Sequence, residues 1–212
     1  MTCRIVAAVV LVFFLFGTAS AATWDAASGF NTSTWSYGTK YASDQAFTAL
    51  TQSGSSGSTS FWSNSGTFTP PAVGHDAGSN YLTMTPGTNP NIVVVRWTAP
   101  FEGIFSITGN FFDVNPLIGA SVHVRINSPS PTDSGWGPIS GDLDQSFSFL
   151  NRTLTAGTTV DFSVDSNGNR NQLIGLRADI ETPTEPVPEP FTMLLFGTGL
   201  AGLFRAKRKP CK

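Results

Sequence analysis

The chain of 212 residues has two cysteines, Cys3 and Cys211, one near each end. The long middle has none, so it folds without a disulfide and without a cysteine-based zinc site. Histidine is as scarce, with only His75 and His123. Neither stands in a His-Glu-x-x-His pattern, and there is no Gly-x-Ser-x-Gly elbow. Basic residues are few in the middle. Between Ala22 and Pro186, 13 acidic side chains face six basic ones, a net charge near −7. A nucleic acid or an anionic membrane surface requires a basic footprint, so both are excluded as partners of this region. A neutral polysaccharide, a Ca²⁺-bridged polymer or a protein stays open. Long hydrophobic runs are missing too, except at the two ends.

Residues 1–22 read as a secretory signal peptide. Arg4 supplies the positive start, Ile5 to Phe16 is apolar and uncharged, and Ala19-Ser20-Ala21 gives the small-x-small site for signal peptidase. Cleavage is expected after Ala21 or Ala22. Cys3 precedes the apolar run and is misplaced for lipid attachment.

At the other end, residues 182–190 form a Pro-rich linker that closes on Val187-Pro188-Glu189-Pro190. Proline holds this backbone extended, a form that suits a protease. Residues 191–204 carry no charge. As a helix they would rise roughly 21 Å, short of a hydrocarbon core about 30 Å thick, so flanking residues must complete the span. Residues 205–212 form a basic tail with Arg205, Lys207, Arg208 and Lys209, which stays on the cytoplasmic side and halts export.

This three-part order resembles the PEP-CTERM sorting signal of Gram-negative bacteria. The matching residues are Val187 to Pro190, Thr192, Leu195, Gly199, Leu200, Leu203 and the basic cluster from Arg205. The resemblance implies an exosortase as partner. It also implies an inner-membrane-tethered precursor and a final place at the cell surface or outside it. Pro210 and Cys211 depart from the usual all-basic end.

Residues 23–181 are expected to be all-β, an antiparallel β-sandwich of jelly-roll type. Glycine, serine, threonine, valine and phenylalanine dominate. Strict alternation puts Val93, Val95 and Trp97 on one face. Phe105, Ile107 and Phe111 share another, as do Val122, Val124 and Ile126. Phe147 with Phe149, Val160 with Phe162 and Val164, and Ile174 to Ile180 follow the same rule. Turn chemistry marks Thr85–Thr88, Pro100–Gly103, Ala156-Gly157 and Ser166–Asn169. Residues 23–80 are less periodic. They are expected to hold two or three strands, within Ser33–Thr39, Phe47–Leu50 and Ser60–Trp62, that finish the second sheet. Gln52–Ser60 reads as a mobile low-complexity loop and His75 as a loop residue.

The run Val95-Arg96-Trp97-Thr98-Ala99-Pro100, with Gly103, Phe105 to Phe111, Leu154 to Gly157, Val160 to Val164 and Gly168-Asn169, resembles carbohydrate-binding and galactose-binding-like jelly-roll modules. It implies a sandwich of the carbohydrate-binding type and names no sugar.

Aromatic rings bind sugars by stacking when exposed on a rigid platform. Trp62 and Trp136, in Ser/Gly-rich surroundings, are the first candidates, with Trp35 and Tyr37, which share a face. Each also fits a hydrophobic core. Asp142 and Asp144, two apart, would project to one side of a strand and suit a structural Ca²⁺, a turn, or a paired-acid hydrolase. No other cofactor is implied. The expected function is a non-catalytic exported protein that binds or forms part of extracellular polysaccharide or biofilm matrix. The alternatives are a purely structural surface protein without a glycan site, and an extracellular hydrolase.

Overall fold

Alternating side chains decide the architecture, because a strand with one apolar face must press that face against another sheet. In the computed structural model, residues 21–41, 46–88, 92–115, 120–127, 144–166 and 172–183 are described, with the backbone alone of 132–139. The signal peptide through Ser20, the sorting tail from residue 184 and the Ser166–Asn169 turn beyond Ser166 lie outside these. Ala22–Pro183 is one compact unit.

Strands β1 (Thr23–Asp25), β2 (Trp35–Lys40), β3 (Thr48–Ala49), β4 (Gln52–Ser56), β5 (Thr59–Ser63) and β6 (Ala72–Asp76) come first. Then follow β7 (Leu82–Thr85), β8 (Ile92–Thr98), β9 (Gly103–Asp113) and β10 (Ala120–Asn127). The last are β11 (Thr132–Ile139), β12 (Gln145–Leu154), β13 (Thr159–Asp165) and β14 (Ile174–Glu181). One sheet runs β12-β9-β14-β7-β6-β5-β4, with β1 also on β14. The other runs β11-β10-β13-β8-β2-β3. Every pairing among the described residues is antiparallel. The chain is thus an all-β, two-sheet antiparallel sandwich.

The alternating sets named from sequence fill its interior. Val93, Val95, Trp97, Phe105, Ile107, Phe111, Val122, Val124, Phe162, Leu176 and Ile180 belong to one core cluster. Edge-on and tilted ring contacts join Trp97, Phe105 and Trp24 at one end of it. Turns at Pro100–Gly103 and Ala156-Gly157 connect strands of different sheets, β8 to β9 and β12 to β13, rather than closing hairpins. They are sandwich corners.

The first eighty residues depart from expectation. They supply six strands, and these are shared between the sheets: β2 and β3 in one, β1, β4, β5 and β6 in the other. Gln52–Ser60 is not a loop. It forms β4, a turn at Gly57 with φ 61°, and the start of β5. Its ladder pairs Gln52 with Ser63 through to Ser56 with Thr59. The strand has no hydrophobic alternation because it is a solvent-facing edge of small hydroxyl residues. Gly54 lies under the Phe61 ring, where an added Cβ would meet the ring at 2.6 Å. His75 also leaves its expected loop and lies on β6, despite Pro71 before it and Gly74 beside it. Those breakers are accommodated: Pro71 precedes the strand, and Gly74 makes room for Phe68.

The outer face of the second sheet carries a buried ion cluster. Arg96 grips Asp161 with Nε at 2.6 Å and Nη2 at 2.8 Å. Lys40 Nζ reaches the same carboxylate at 2.6 Å, and Asn127 Nδ2 donates to it at 3.0 Å. Lys40 and Asp161 are 5% and 2% exposed, so the cluster is sealed. Burial alone would raise the Asp161 carboxyl, but the hydrogen bonds and charges of Arg96 and Lys40 outweigh it and hold it below the usual range. The Arg96 guanidinium also lies 4.1 Å over the Phe47 ring.

The two ends of the unit meet. Ala22 N–H donates to Thr182 Oγ1 at 3.0 Å, and Thr182 N–H donates to the Ala22 carbonyl at 3.0 Å. Beside them β14 pairs with β9 along its whole length, Ile174 to Glu181.

Candidate functional site

Trp35 and Tyr37 project from β2 on its inward face, since alternate residues of a strand point the same way. Both are 4% exposed and belong to the core cluster. Trp62 comes from β5 of the other sheet and is only partly buried. Its ring stacks near Tyr37, with centroids 6.2 Å apart and planes at 28°. Three of the four aromatic candidates therefore converge where the two sheets meet.

Asn31 fixes them. It sits in the turn before β2 with φ 69°, a left-handed conformation that asparagine tolerates better than most residues. Its Oδ1 accepts from Trp62 Nε1–H at 2.6 Å, and its backbone N–H donates to the Tyr37 hydroxyl at 3.2 Å. One residue thus ties rings from both sheets. Burial pushes the Tyr37 hydroxyl up to about 12, with the Asn31 N–H drawing it back, so the phenol stays neutral at any working pH. Phe30 supports Tyr37 from behind, with centroids 4.9 Å apart, and contacts His75 at 5.6 Å.

These groups line an open cleft of about 200 Å³, together with Thr32, Ser36, Ala49 and Leu50. No lining residue carries a charge. The lining offers amide, hydroxyl and indole groups around aromatic rings. It has no carboxylate, imidazole or thiol for acid–base or nucleophilic work. Asn31 and Leu50 were not singled out from sequence. The one available signal was asparagine in Gly29-Phe30-Asn31-Thr32, a turn-prone run.

The remaining candidates lie elsewhere. Trp136 pairs through its backbone with Val122, and its side chain is outside the described residues, as is Asp142. Asp144 is exposed and accepts from Asn110 Nδ2 at 3.1 Å. His75 Nε2 lies 3.2 Å from the Ser79 carbonyl. Among the described residues, no three His, Cys, Asp or Glu side chains gather as a metal site. Ala21 is described and half-buried, while Ala19, Val187, Pro188, Glu189, Pro190 and the basic residues from Arg205 lie outside.

Comparison with known proteins bears on both parts of the chain. Residues 186–209 match the PEP-CTERM protein-sorting motif. That motif implies export and surface sorting through an exosortase. No curated protein sequence matches the chain. The central sandwich resembles carbohydrate-binding modules in structure. One is TmCBM61, solved with β-1,4-galactotriose, at 10% identity and TM-score 0.38, covering 72% of this chain and 90% of that one. Another is CBM29-2, a family 29 carbohydrate binding module, at 15% identity and TM-score 0.34, covering 53% and 75%. A third is the N-terminal cellulose-binding domain of Cellulomonas fimi β-1,4-glucanase C, at 12% identity and TM-score 0.35, covering 56% and 87%.

Proposed function

We propose that this is an exported, non-catalytic surface or matrix protein whose sandwich binds a neutral extracellular polysaccharide in the Trp62 cleft. Signal peptidase removes residues up to Ala21 or Ala22, and an exosortase acts near Pro188-Glu189-Pro190. The observation that carries the binding reading is the Asn31 clamp, which holds a partly exposed indole from one sheet against a phenol from the other. A sugar ring presents C–H groups to such a face and hydroxyls to the surrounding Asn, Thr and Ser. The uncharged lining and the net negative domain favour a neutral polymer over an acidic one.

Affinity electrophoresis of the exported protein through gels containing neutral polysaccharides tests this. The wild type is expected to be retarded in at least one gel, and Trp62→Ala to lose about tenfold in affinity there, on the order of 1.4 kcal/mol. Unretarded migration in every gel removes the reading. A second reading, a structural surface protein with no glycan site, draws on the deep burial of Trp35 and Tyr37. It predicts that Trp62→Ala changes thermal stability and no mobility.

A further inference from the structure

The cleft is small. At about 200 Å³ it falls below the roughly 300–1,000 Å³ usual for a ligand site. Next to it lies a second recess of about 290 Å³, and the two share Thr32 and Trp35 in their walls. Together they reach about 490 Å³, within the usual range.

The second recess has a different chemistry. Hydroxyls of Thr23, Ser28, Ser33 and Thr34 surround it, with Asp25 as its one charged side chain. Trp35 contributes something more specific. Its Nε1–H is buried and has no hydrogen-bond partner among the described residues, which a folded chain rarely tolerates. The nitrogen lies against Gly29, where an added Cβ would come within 2.6 Å of it. Gly29 lines the second recess and not the first. The unsatisfied donor therefore faces the hydroxyl-rich side, over a residue with no side chain to block it.

We infer that the site takes an oligosaccharide chain spanning more than one sugar, with a second subsite in the Gly29–Trp35 recess. This rests on the cleft reading above and extends it. One sugar stacks on Trp62. The next places a hydroxyl oxygen toward Trp35 Nε1–H and its remaining hydroxyls among the serine and threonine side chains. The Asp25 carboxylate accepts from sugar hydroxyls and repels an acidic sugar. The partner class is thus an uncharged linear glycan recognised within its chain.

The test is calorimetric titration of the full-length protein with neutral gluco-, manno- and galacto-oligosaccharides of increasing length. Indole N–H signals are followed by NMR in the same samples. Affinity for at least one series is expected to rise tenfold or more from one sugar to three. The Trp35 indole N–H should shift only with the longer members. Ser33→Tyr fills the recess from an exposed position and should abolish that gain while leaving the single-sugar affinity unchanged. Equal affinity at every length, or a Ser33→Tyr protein that keeps the gain, overturns the second subsite and leaves the cleft standing. Unchanged binding in Trp62→Ala overturns the cleft itself. Binding of none of the sugars, or tighter binding of acidic oligosaccharides or a proline-rich peptide, overturns both.

Discussion

Asp161 and Asp179 occupy matching places in the two sheets. Each lies on an inner strand, β13 or β14, and each points away from the core between buried apolar neighbours. Their surroundings differ in the number of cations within reach. Asp161 is held by Arg96 and Lys40, and its carboxyl titrates below the usual range. Asp179 faces Asp25 across the β1–β14 ladder, with Glu181 nearby. Its carboxyl is raised, first by burial and then by the charge and shared hydrogen bond of Asp25. The same residue type at the same kind of position is thus stabilising in one sheet and a source of repulsion in the other.

The largest expected effect comes from removing the compensated acid. Asp161→Ala leaves Lys40 and Arg96 facing each other without an anion, and should cost about 3–5 kcal/mol in urea unfolding. Arg96→Lys keeps the charge but loses the two-pronged grip and the stack on Phe47. A loss of about 1.5–3 kcal/mol is expected in the same assay. Asp179→Asn should move the other way, raising stability at neutral pH by a few tenths of a kcal/mol, because that site is largely open to solvent.

The pH dependence separates the two acids by sign. Asp161 has a folded-state value below its unfolded 3.8, so its contribution is present above 3.8 and lost as pH falls through the lowered value. Asp179 has a folded-state value above 3.8, so the fold is favoured below 3.8 and loses that advantage as pH rises through the raised value. Melting curves of Asp179→Asn and the wild type should therefore converge in acid and separate toward neutrality. Curves that stay parallel would show that Asp25 and Asp179 do not share a proton.

Much of the sandwich was legible because burial writes itself as alternation. Val95 and Trp97, Val160 and Phe162, and Leu176 and Ile180 each announce a strand and its inward face. β4 was hidden because its Ser and Gly residues need no apolar side, and its one close packing partner, Phe61, belongs to the next strand. The ion cluster was hidden for another reason. Lys40, Arg96 and Asp161 are far apart in sequence, and only the β2-β8-β13 order brings them together. The cleft was half legible. Aromatic content pointed to Trp62, Trp35 and Tyr37, but the clamp depends on Asn31, whose role requires a left-handed turn and a partner from the other sheet.

The place where β14 leaves the fold has a mechanical consequence. The chain runs from Glu181 through Pro183 toward the sorting motif, so a tether loads β14 along its own axis. Bonded to β9 on one flank and to β7 and β1 on the other, that strand is pulled in shear. Its rungs must slip together instead of peeling one by one. A domain held by that end would resist drag while it keeps hold of a polymer.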